Sequence, residues 1–247
     1  MNRAALIAGA TLGHLTLLVA PVCAIGEAGQ ILRDPAVVVF LLLAGLLTLA
    51  DAPAIGRDDP VGPADRAALA TGLLLLATFW TALLETAWRR SHPFGISETC
   101  GALAMLGGVA LRTAAVRSLG HQFVTAHRAG TLVQTGLHAH LRHPSESGNI
   151  AVALGACVLL GGRLAFLPAI ALVILIFRRV NMEDMFLRRS HGRAFERYEL
   201  RVGGLWPRWG DGRDRTPDPS GRPVSLAANR NRCEDRSRTQ TYDRTNE

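Results

Sequence analysis

The fold is decided by residues 149–177, NIAVALGACVLLGGRLAFLPAIALVILIF, an apolar run that one arginine interrupts. As a single helix the run would be about 43 Å long at about 1.5 Å per residue, whereas a bilayer's hydrocarbon core is about 30 Å thick. It would also place Arg163 near the bilayer centre, at a cost of roughly 2.5 to 3.5 kcal/mol. A turn at Gly161-Gly162-Arg163 removes both problems and predicts a tight helical hairpin. Pro168 then falls in the first turns of the returning helix, where its missing N–H donor is tolerated.

Four further apolar stretches precede this hairpin, and each approaches the roughly 20 residues that cross hydrocarbon. They are Ala4 to Ala24, Pro35 to Ala50, Ala67 to Leu84 and Thr99 to Leu111. The fourth is short, so we expect it to use flanking residues or to extend past Arg112 by snorkelling. The first stretch also allows a cleaved signal peptide ending near Ala24, but the spans that follow favour a retained helix.

Composition supports the same class of protein. Hydrophobic residues make up 49% of the 247-residue chain, and charged residues only 19%. We therefore predict an all-α, polytopic transmembrane protein of about six helices, counting the C-terminal helical hairpin as two.

The basic residues are all arginine, 27 in number, and the net charge is +7. They cluster within residues 112–142 and from Arg178 onward, beside apolar segments, which is the positive-inside pattern and not a nucleic-acid-binding surface. Because a hairpin returns the chain to the side it left, both clusters can face the cytoplasm. This predicts an integral protein of the cell inner membrane that contacts membrane lipid and has both arginine-rich regions on its cytoplasmic side. Arg89 and Arg90 fall on the opposite side, against the pattern.

Polar residues flank the hairpin on both sides. Before it lie residues 141–148, LRHPSESG, and after it come Arg179, Glu183 and Asp184. Arg179 and Glu183 are four residues apart, so on a helix they share one face. Because both ends of the hairpin reach one membrane surface, we expect the loop and this face to meet. The plain alternative is that Arg179 is a juxtamembrane anchor, or forms an ordinary surface pair with Glu183.

Cysteine and histidine patterns indicate no metal site. The cysteines at 23, 100, 157 and 233 lack paired spacing, and we interpret them as packing residues without disulfides. His138, His140 and His143 lie close together, but no carboxylate or cysteine spacing completes a metal site. We therefore predict no bound metal.

Three regions follow from these patterns. Residues 1–111 form N-terminal transmembrane helices, 112–209 form a region with the hairpin and its flanking polar residues, and 210–247 form a polar tail. The tail nearly lacks large apolar residues and is predicted to be disordered, with an electrostatic hold on anionic lipid as the alternative.

Taken in order, the motifs of roughly Arg112 to Pro207 resemble the isoprenylcysteine carboxyl methyltransferase family and the related phospholipid methyltransferases. These are integral membrane enzymes that use S-adenosylmethionine. The residues that carry the resemblance are Arg112, Leu119-Gly120, Phe123, Leu132-Val133, Gly136, Arg142-His143-Pro144, Gly148, Glu183-Asp184, Leu187, His191-Gly192, Phe195, Tyr198, Val202 and Pro207. The chain departs from the family at His138 and Glu146, where tyrosine is usual.

The resemblance implies that residues 112–209 form a methyltransferase-like catalytic region with a cytoplasmic cofactor-binding region, and it implies a role for each site residue. It implies a cofactor pocket lined by Thr131, Leu132, Val133, His138, His143, Pro144, Ser145, Glu146 and Glu183. It implies that Arg179 faces and binds the methyl acceptor, with Arg179 and Glu183 as the catalytic residues. A carboxylate complements the positive sulfonium and amino group of S-adenosylmethionine, and an arginine orients an acceptor carboxylate.

The acceptor implied is a lipophilic molecule that enters from the bilayer and is methylated most directly at a carboxyl oxygen, while amine, hydroxyl and thiol acceptors stay open. The chain also resembles membrane sterol and steroid reductases that bind NADPH, but Ser145, Glu146 and Asn149 depart from their pattern. A non-catalytic membrane protein is the remaining alternative.

Overall fold

The structure is a computed structural model that describes residues 3–24, 28–51, 63–89, 94–119 and 132–208, and within these ranges it has helices and no β-strand. The helices are α1 Arg3–Ala24, α2 Ala28–Ile31, α3 Pro35–Ala50, α4 Pro63–Arg89, α5 Ile96–Leu119, a 3-10 helix Gly136–Ala139, α6 Pro144–Leu159, α7 Phe166–His191 and α8 Arg193–Arg201. The all-α prediction is confirmed. The predicted tail, residues 210–247, lies outside the described residues.

Two helices in the described ranges are long and apolar enough to cross a membrane, over Arg66–Arg89 and Ile96–Leu119. The first and second predicted spans are helical too, but their apolar parts, Ala8–Pro21 and Pro35–Ala50, are shorter. Polytopic membrane insertion by all four stretches therefore stays a prediction. The predicted boundary between residues 111 and 112 falls inside α5, and the division into three regions also stays a prediction.

The fourth predicted span is longer in the structure than its uncharged run. At its start, the Glu98 carboxylate accepts a hydrogen bond from the Gly95 backbone N–H at 2.9 Å. Near its end, Arg112 does not depend on snorkelling, because its Nε lies 2.9 Å from an oxygen of Asp51. Pairing within the protein lets the helix continue through a charged residue.

Helices α3 and α4 share an apolar core. α3 begins at Asp34, whose side chain accepts a hydrogen bond from the Ala36 N–H at 2.9 Å, and Pro35 occupies the first helical position. Phe40 of α3 packs edge to face against Phe79 of α4, with ring centroids 5.0 Å apart. Both rings are fully buried.

Glycines bring α5 and α6 into backbone contact. A Cβ added at Gly108 would lie 2.7 Å from the Gly148 carbonyl oxygen, and one added at Gly155 would lie 2.6 Å from the Met105 nitrogen. Small residues permit this close approach, as they do between membrane helices. The contact fixes the start of α6 beside Arg112.

The chain turns sharply between α6 and α7. Gly161 has φ +60°, a conformation that favours glycine, and the Gly162 N–H donates to the Cys157 carbonyl at 2.9 Å. The helix break predicted at Gly161-Gly162-Arg163 lies here, with Arg163 exposed and Pro168 the third residue of α7. That this pair is a membrane hairpin with cytoplasmic ends stays a prediction.

The end of α4 holds this turn. The Glu85 carboxylate accepts a hydrogen bond from the Leu164 N–H at 2.8 Å, and Arg89 donates to the Gly161 carbonyl. Arg89, which conflicts with the positive-inside pattern, thus has a structural partner.

Of the described cysteines, Cys157 is buried, whereas Cys23 and Cys100 are exposed. The packing interpretation is wrong for those two, because their helices turn them outward.

Candidate active site

The start of α6 is held by the segment that follows α8. The Arg142 N–H donates to the Gly203 carbonyl at 2.8 Å, and the His143 N–H donates to the Gly204 carbonyl at 3.2 Å. The Ser147 hydroxyl donates to the Leu205 carbonyl at 2.6 Å. Because proline cannot donate, Pro144 suits the first position of α6. These bonds fix the direction in which the loop side chains point.

His143 lies between two acids of α7. Its Nε2 is 2.8 Å from an oxygen of Asp184, and its Nδ1 is 3.7 Å from an oxygen of Glu183. The His143 side chain is only 5% exposed. Asp184 also accepts from Arg142 at 2.8 Å, and Arg142 lies 3.1 Å from an oxygen of Glu199. The prediction that the loop meets the acid-bearing face of the helix is confirmed by these distances.

Arg179 points to α6 as well. Its NH1 lies 3.0 Å from Glu146 Oε1, and the Asn149 amide donates to Glu146 Oε2 at 3.2 Å. The Arg179 side chain is 23% exposed and that of Glu146 only 8%. The described contacts of Arg179 and Glu183 are therefore with α6 and the loop before it. They do not match the plain alternative of a surface pair between these two residues.

Ser145 connects the site to α5. Its hydroxyl accepts a hydrogen bond from Arg112 NH1 at 2.8 Å, while the Nε of the same arginine pairs with Asp51. Arg112 and Asp51 are missing from the site predicted from the sequence, and so are Asp184 and Glu199. Asp184 had a local signal, its place beside Glu183, and both Arg112 and Asp184 are among the residues that carry the family resemblance.

Side chains of α8 pack against the segment before α6 and hydrogen-bond to it. The Tyr198 hydroxyl donates to the His138 carbonyl at 2.6 Å, and the Ser118 hydroxyl lies 3.3 Å from His138 Nδ1. Burial raises the pKa of Tyr198 to about 12, so this donor stays protonated at neutral pH. Leu132 packs against Phe195 and Tyr198 in a small apolar cluster.

The remaining residues of the predicted cofactor wall are placed as follows. Pro144 is buried and Val133 is half-buried. Thr131 lies outside the described residues. The described part of the chain contains no group of three or more histidines, cysteines or acids that could hold a metal ion.

We expect His138 to make the stability of the fold sensitive to acid. Burial lowers the pKa of His138 below its ordinary 6.5, and the charge of nearby His143 lowers it further. The folded protein thus favours the neutral ring, and the unfolded chain takes up the proton first. We expect the free energy of unfolding to fall as the pH drops below 6.5 and this group to have no effect well above it.

Unfolding of the detergent-purified protein, followed between about pH 8 and about pH 5, measures this effect. The His138→Gln variant should show a shallower loss of stability than the parent. His140→Gln is the matched control, because His140 is exposed two residues away, and it should keep the parental slope. Equal slopes for the parent and His138→Gln would contradict the assignment.

Within the described residues, the fold and the site define a helical protein with two helices that are long and apolar enough to cross a membrane, and with a cluster of arginine, histidine and carboxylates where α6 begins. Residues 101–189 of the chain match the model of the Isoprenylcysteine carboxyl methyltransferase (ICMT) family. The matched region is less than half of the chain, and it includes α6, the loop before it, and Arg179, Glu183 and Asp184 of α7. Asp51, α8 and the segment after α8 lie outside it. The resemblance to this family is confirmed, and it supports a membrane methyltransferase of that family. The chain matches no curated protein.

Proposed function

We propose that the chain is an integral membrane, S-adenosylmethionine-dependent methyltransferase that acts on a lipophilic acceptor. One observation carries the proposal: within the family-matched region, His143 lies beside Glu183 while Arg179 lies beside Glu146, all at the start of α6. Residues from three elements thus place opposite charges around one point. Such a cluster suits a ligand that carries both a cation and a carboxylate.

The donor set fits S-adenosylmethionine. Glu183 is 19% exposed and lies 3.7 Å from His143, beyond ordinary hydrogen-bond distance, so its carboxylate can accept from a ligand's amino group. His143, Pro144, Ser145 and Glu146 would form one wall, with Leu132, Val133 and His138 beside it. Thr131 belongs to this wall by resemblance only. The carboxylates of Glu183 and Glu146 would complement the positive sulfonium and ammonium groups of the ligand.

When bound, S-adenosylmethionine would supply the methyl group to a lone pair of the acceptor and would leave as S-adenosylhomocysteine. The chain's own residues would position the cofactor and the acceptor and would exclude water from them. Glu183 holds the positive end of the cofactor, and Arg179 orients the acceptor's head group. The buried His143–Asp184 contact keeps the loop rigid and limits access of water.

Exposed apolar side chains of α7 support entry of the acceptor from the bilayer. Ile174 is 57% and Phe177 45% exposed, and both lie within about two turns of Arg179. In a membrane these side chains would contact lipid, so the hydrophobic tail of the acceptor would pack along them with its head group at Arg179. A cytoplasmic site in the cell inner membrane, supported by the arginine pattern, completes the proposal.

Isothermal titration of the detergent-purified chain tests the cofactor. We expect heat of binding for S-adenosylmethionine and S-adenosylhomocysteine and none for NADPH. Binding of NADPH alone would favour the reductase alternative, and binding of none of the three would favour the non-catalytic one. Methyl transfer from labelled cofactor to membrane lipid extract, followed by mass analysis of the product, then identifies the acceptor.

The Glu183→Gln variant tests the principal cofactor contact. A hydrogen bond to a charged group contributes about 1.5 to 3 kcal/mol, so we expect S-adenosylmethionine to bind roughly 10 to 100 times more weakly. Glu196→Gln, an exposed acid of α8, is the control and should bind as the parent does. Parental affinity in the Glu183 variant would remove Glu183 from the site.

A further inference from the structure

The Glu146–Arg179 ion pair lies where the family resemblance places the methyl acceptor. Glu146 Oε1 is 3.0 Å from Arg179, and Oε2 accepts from the Asn149 amide at 3.2 Å. The carboxylate is thus held at both oxygens, and its side chain is only 8% exposed. Arg179 already has the carboxylate that an acidic substrate would bring.

A carboxylate acceptor would have to compete with Glu146 for one guanidinium group. If it displaced Glu146, a nearly buried carboxylate would keep only the neutral Asn149 amide among its described partners. A buried charge without its counter-ion is strongly penalised. If both carboxylates stayed, two like charges would share one arginine. Either arrangement disfavours an anionic head group.

Arg179 also has a buried donor without a described acceptor. Its Nε is buried and has no hydrogen-bond partner among the residues that the structure describes. A neutral oxygen or nitrogen that carries a lone pair can accept from this N–H while Glu146 stays in place. An ammonium head group cannot, because it has only donors. The pair thus offers a site with no net charge and with a donor, Arg179 Nε, that has no described acceptor.

We propose that the Glu146–Arg179 pair selects a methyl acceptor whose head group is uncharged and accepts a hydrogen bond, such as a phenol or an alcohol, and that it excludes carboxylates. This inference rests on the proposed function and replaces the acidic acceptor that the family resemblance implies. On methylation the acceptor atom gains one bond to the methyl carbon and gives its proton to water.

Three probes of one skeleton test the selection: 4-hexylphenol, 4-hexylbenzoate and 4-hexylbenzylamine, which are neutral, anionic and cationic at neutral pH. Each is titrated into the full chain in neutral detergent micelles, with binding as the readout. We expect the phenol to bind about tenfold or more tightly than either charged probe, because only the phenol leaves the ion pair intact and uses the Arg179 Nε donor. Binding of the benzoate or the amine as tight as that of the phenol would overturn the inference.

The Glu146→Gln variant removes the internal carboxylate. Arg179 then lacks its counter-ion, so we expect the benzoate to gain about tenfold or more in affinity over its value in the parent. An unchanged benzoate affinity in a folded variant would overturn the inference. Glu196→Gln is the matched control and should keep the parental ranking. If Glu146→Gln does not fold, the ranking in the parent decides alone.

S-adenosylhomocysteine binding, measured in the same samples, separates the two proposals. If it binds and the benzoate is preferred, the methyltransferase assignment stands and the acceptor inference is wrong. If it does not bind and the phenol is preferred, head-group selection stands and the methyltransferase assignment is wrong.

Discussion

Replacing Asp184 with alanine is expected to lower the free energy of unfolding by about 3 kcal/mol. Asp184 contacts both Arg142 and His143 at 2.8 Å, and its own side chain is 13% exposed. Removing one partner of a buried ion pair typically costs about 3 to 5 kcal/mol, because the other charge stays buried and uncompensated. The lower end applies here, since Arg142 keeps Glu199 at 3.1 Å.

Unfolding of the detergent-purified variant measures the loss, and titration of the folded fraction with S-adenosylmethionine measures the effect on the site. Affinity should fall too, because His143 loses the contact that orients its ring beside Glu183. Glu196→Ala removes an exposed acid from α8 and should stay within about 0.5 kcal/mol of the parent. A similarly small change for Asp184→Ala would mean that Asp184 does not hold the network together.

The helices and the break between α6 and α7 could be predicted from the sequence because their signals are local. A glycine pair followed by Arg163 interrupts an apolar run that is too long for one span, and the structure turns there. The meeting of His143 with Glu183 followed from the same feature. Once the chain doubles back, residues about equally far from the turn on its two sides must come together.

Contacts between distant segments had no such signal. Arg112 and Asp51 are 61 residues apart, and no periodicity relates them. The bond from the Tyr198 hydroxyl to the His138 carbonyl depends on how α8 folds back over the loop. Such pairs are fixed by tertiary packing, which a hydrophobic pattern does not specify.

The charge partners within the site were equally hidden. The sequence places several basic and acidic side chains at the ends of α6 and α7, and many pairings satisfy the local spacing. Helical periodicity allowed Arg179 to pair with Glu183, or to face an acceptor. The structure instead pairs Arg179 with Glu146, 3.0 Å away. A one-residue change of register between the helices would give Arg179 a different acidic partner, so the pairing depends on the three-dimensional structure.

The backbone contact between α5 and α6 predicts the second large effect. In the Gly108→Ala variant the new Cβ would lie 2.7 Å from the Gly148 carbonyl oxygen and 2.8 Å from the Val152 nitrogen. Both are backbone atoms, so a helix must move. Overpacking of this kind costs about 1 to 3 kcal/mol. We expect the upper end of that range, because a second close contact lies about two helical turns further along α6, where Gly155 meets Met105.

Gly107→Ala is the matched control, because a Cβ at Gly107 would have no atom within 4 Å. There the substitution only replaces a flexible residue with a better helix former, which is worth up to about 1 kcal/mol in the opposite direction. Unfolding of the two variants in the same detergent should therefore shift to opposite sides of the parent. S-adenosylmethionine binding should weaken only in Gly108→Ala, since moving α6 away from α5 separates Ser145 from Arg112. Equal shifts in the two variants would show that α5 and α6 do not pack at glycine distance.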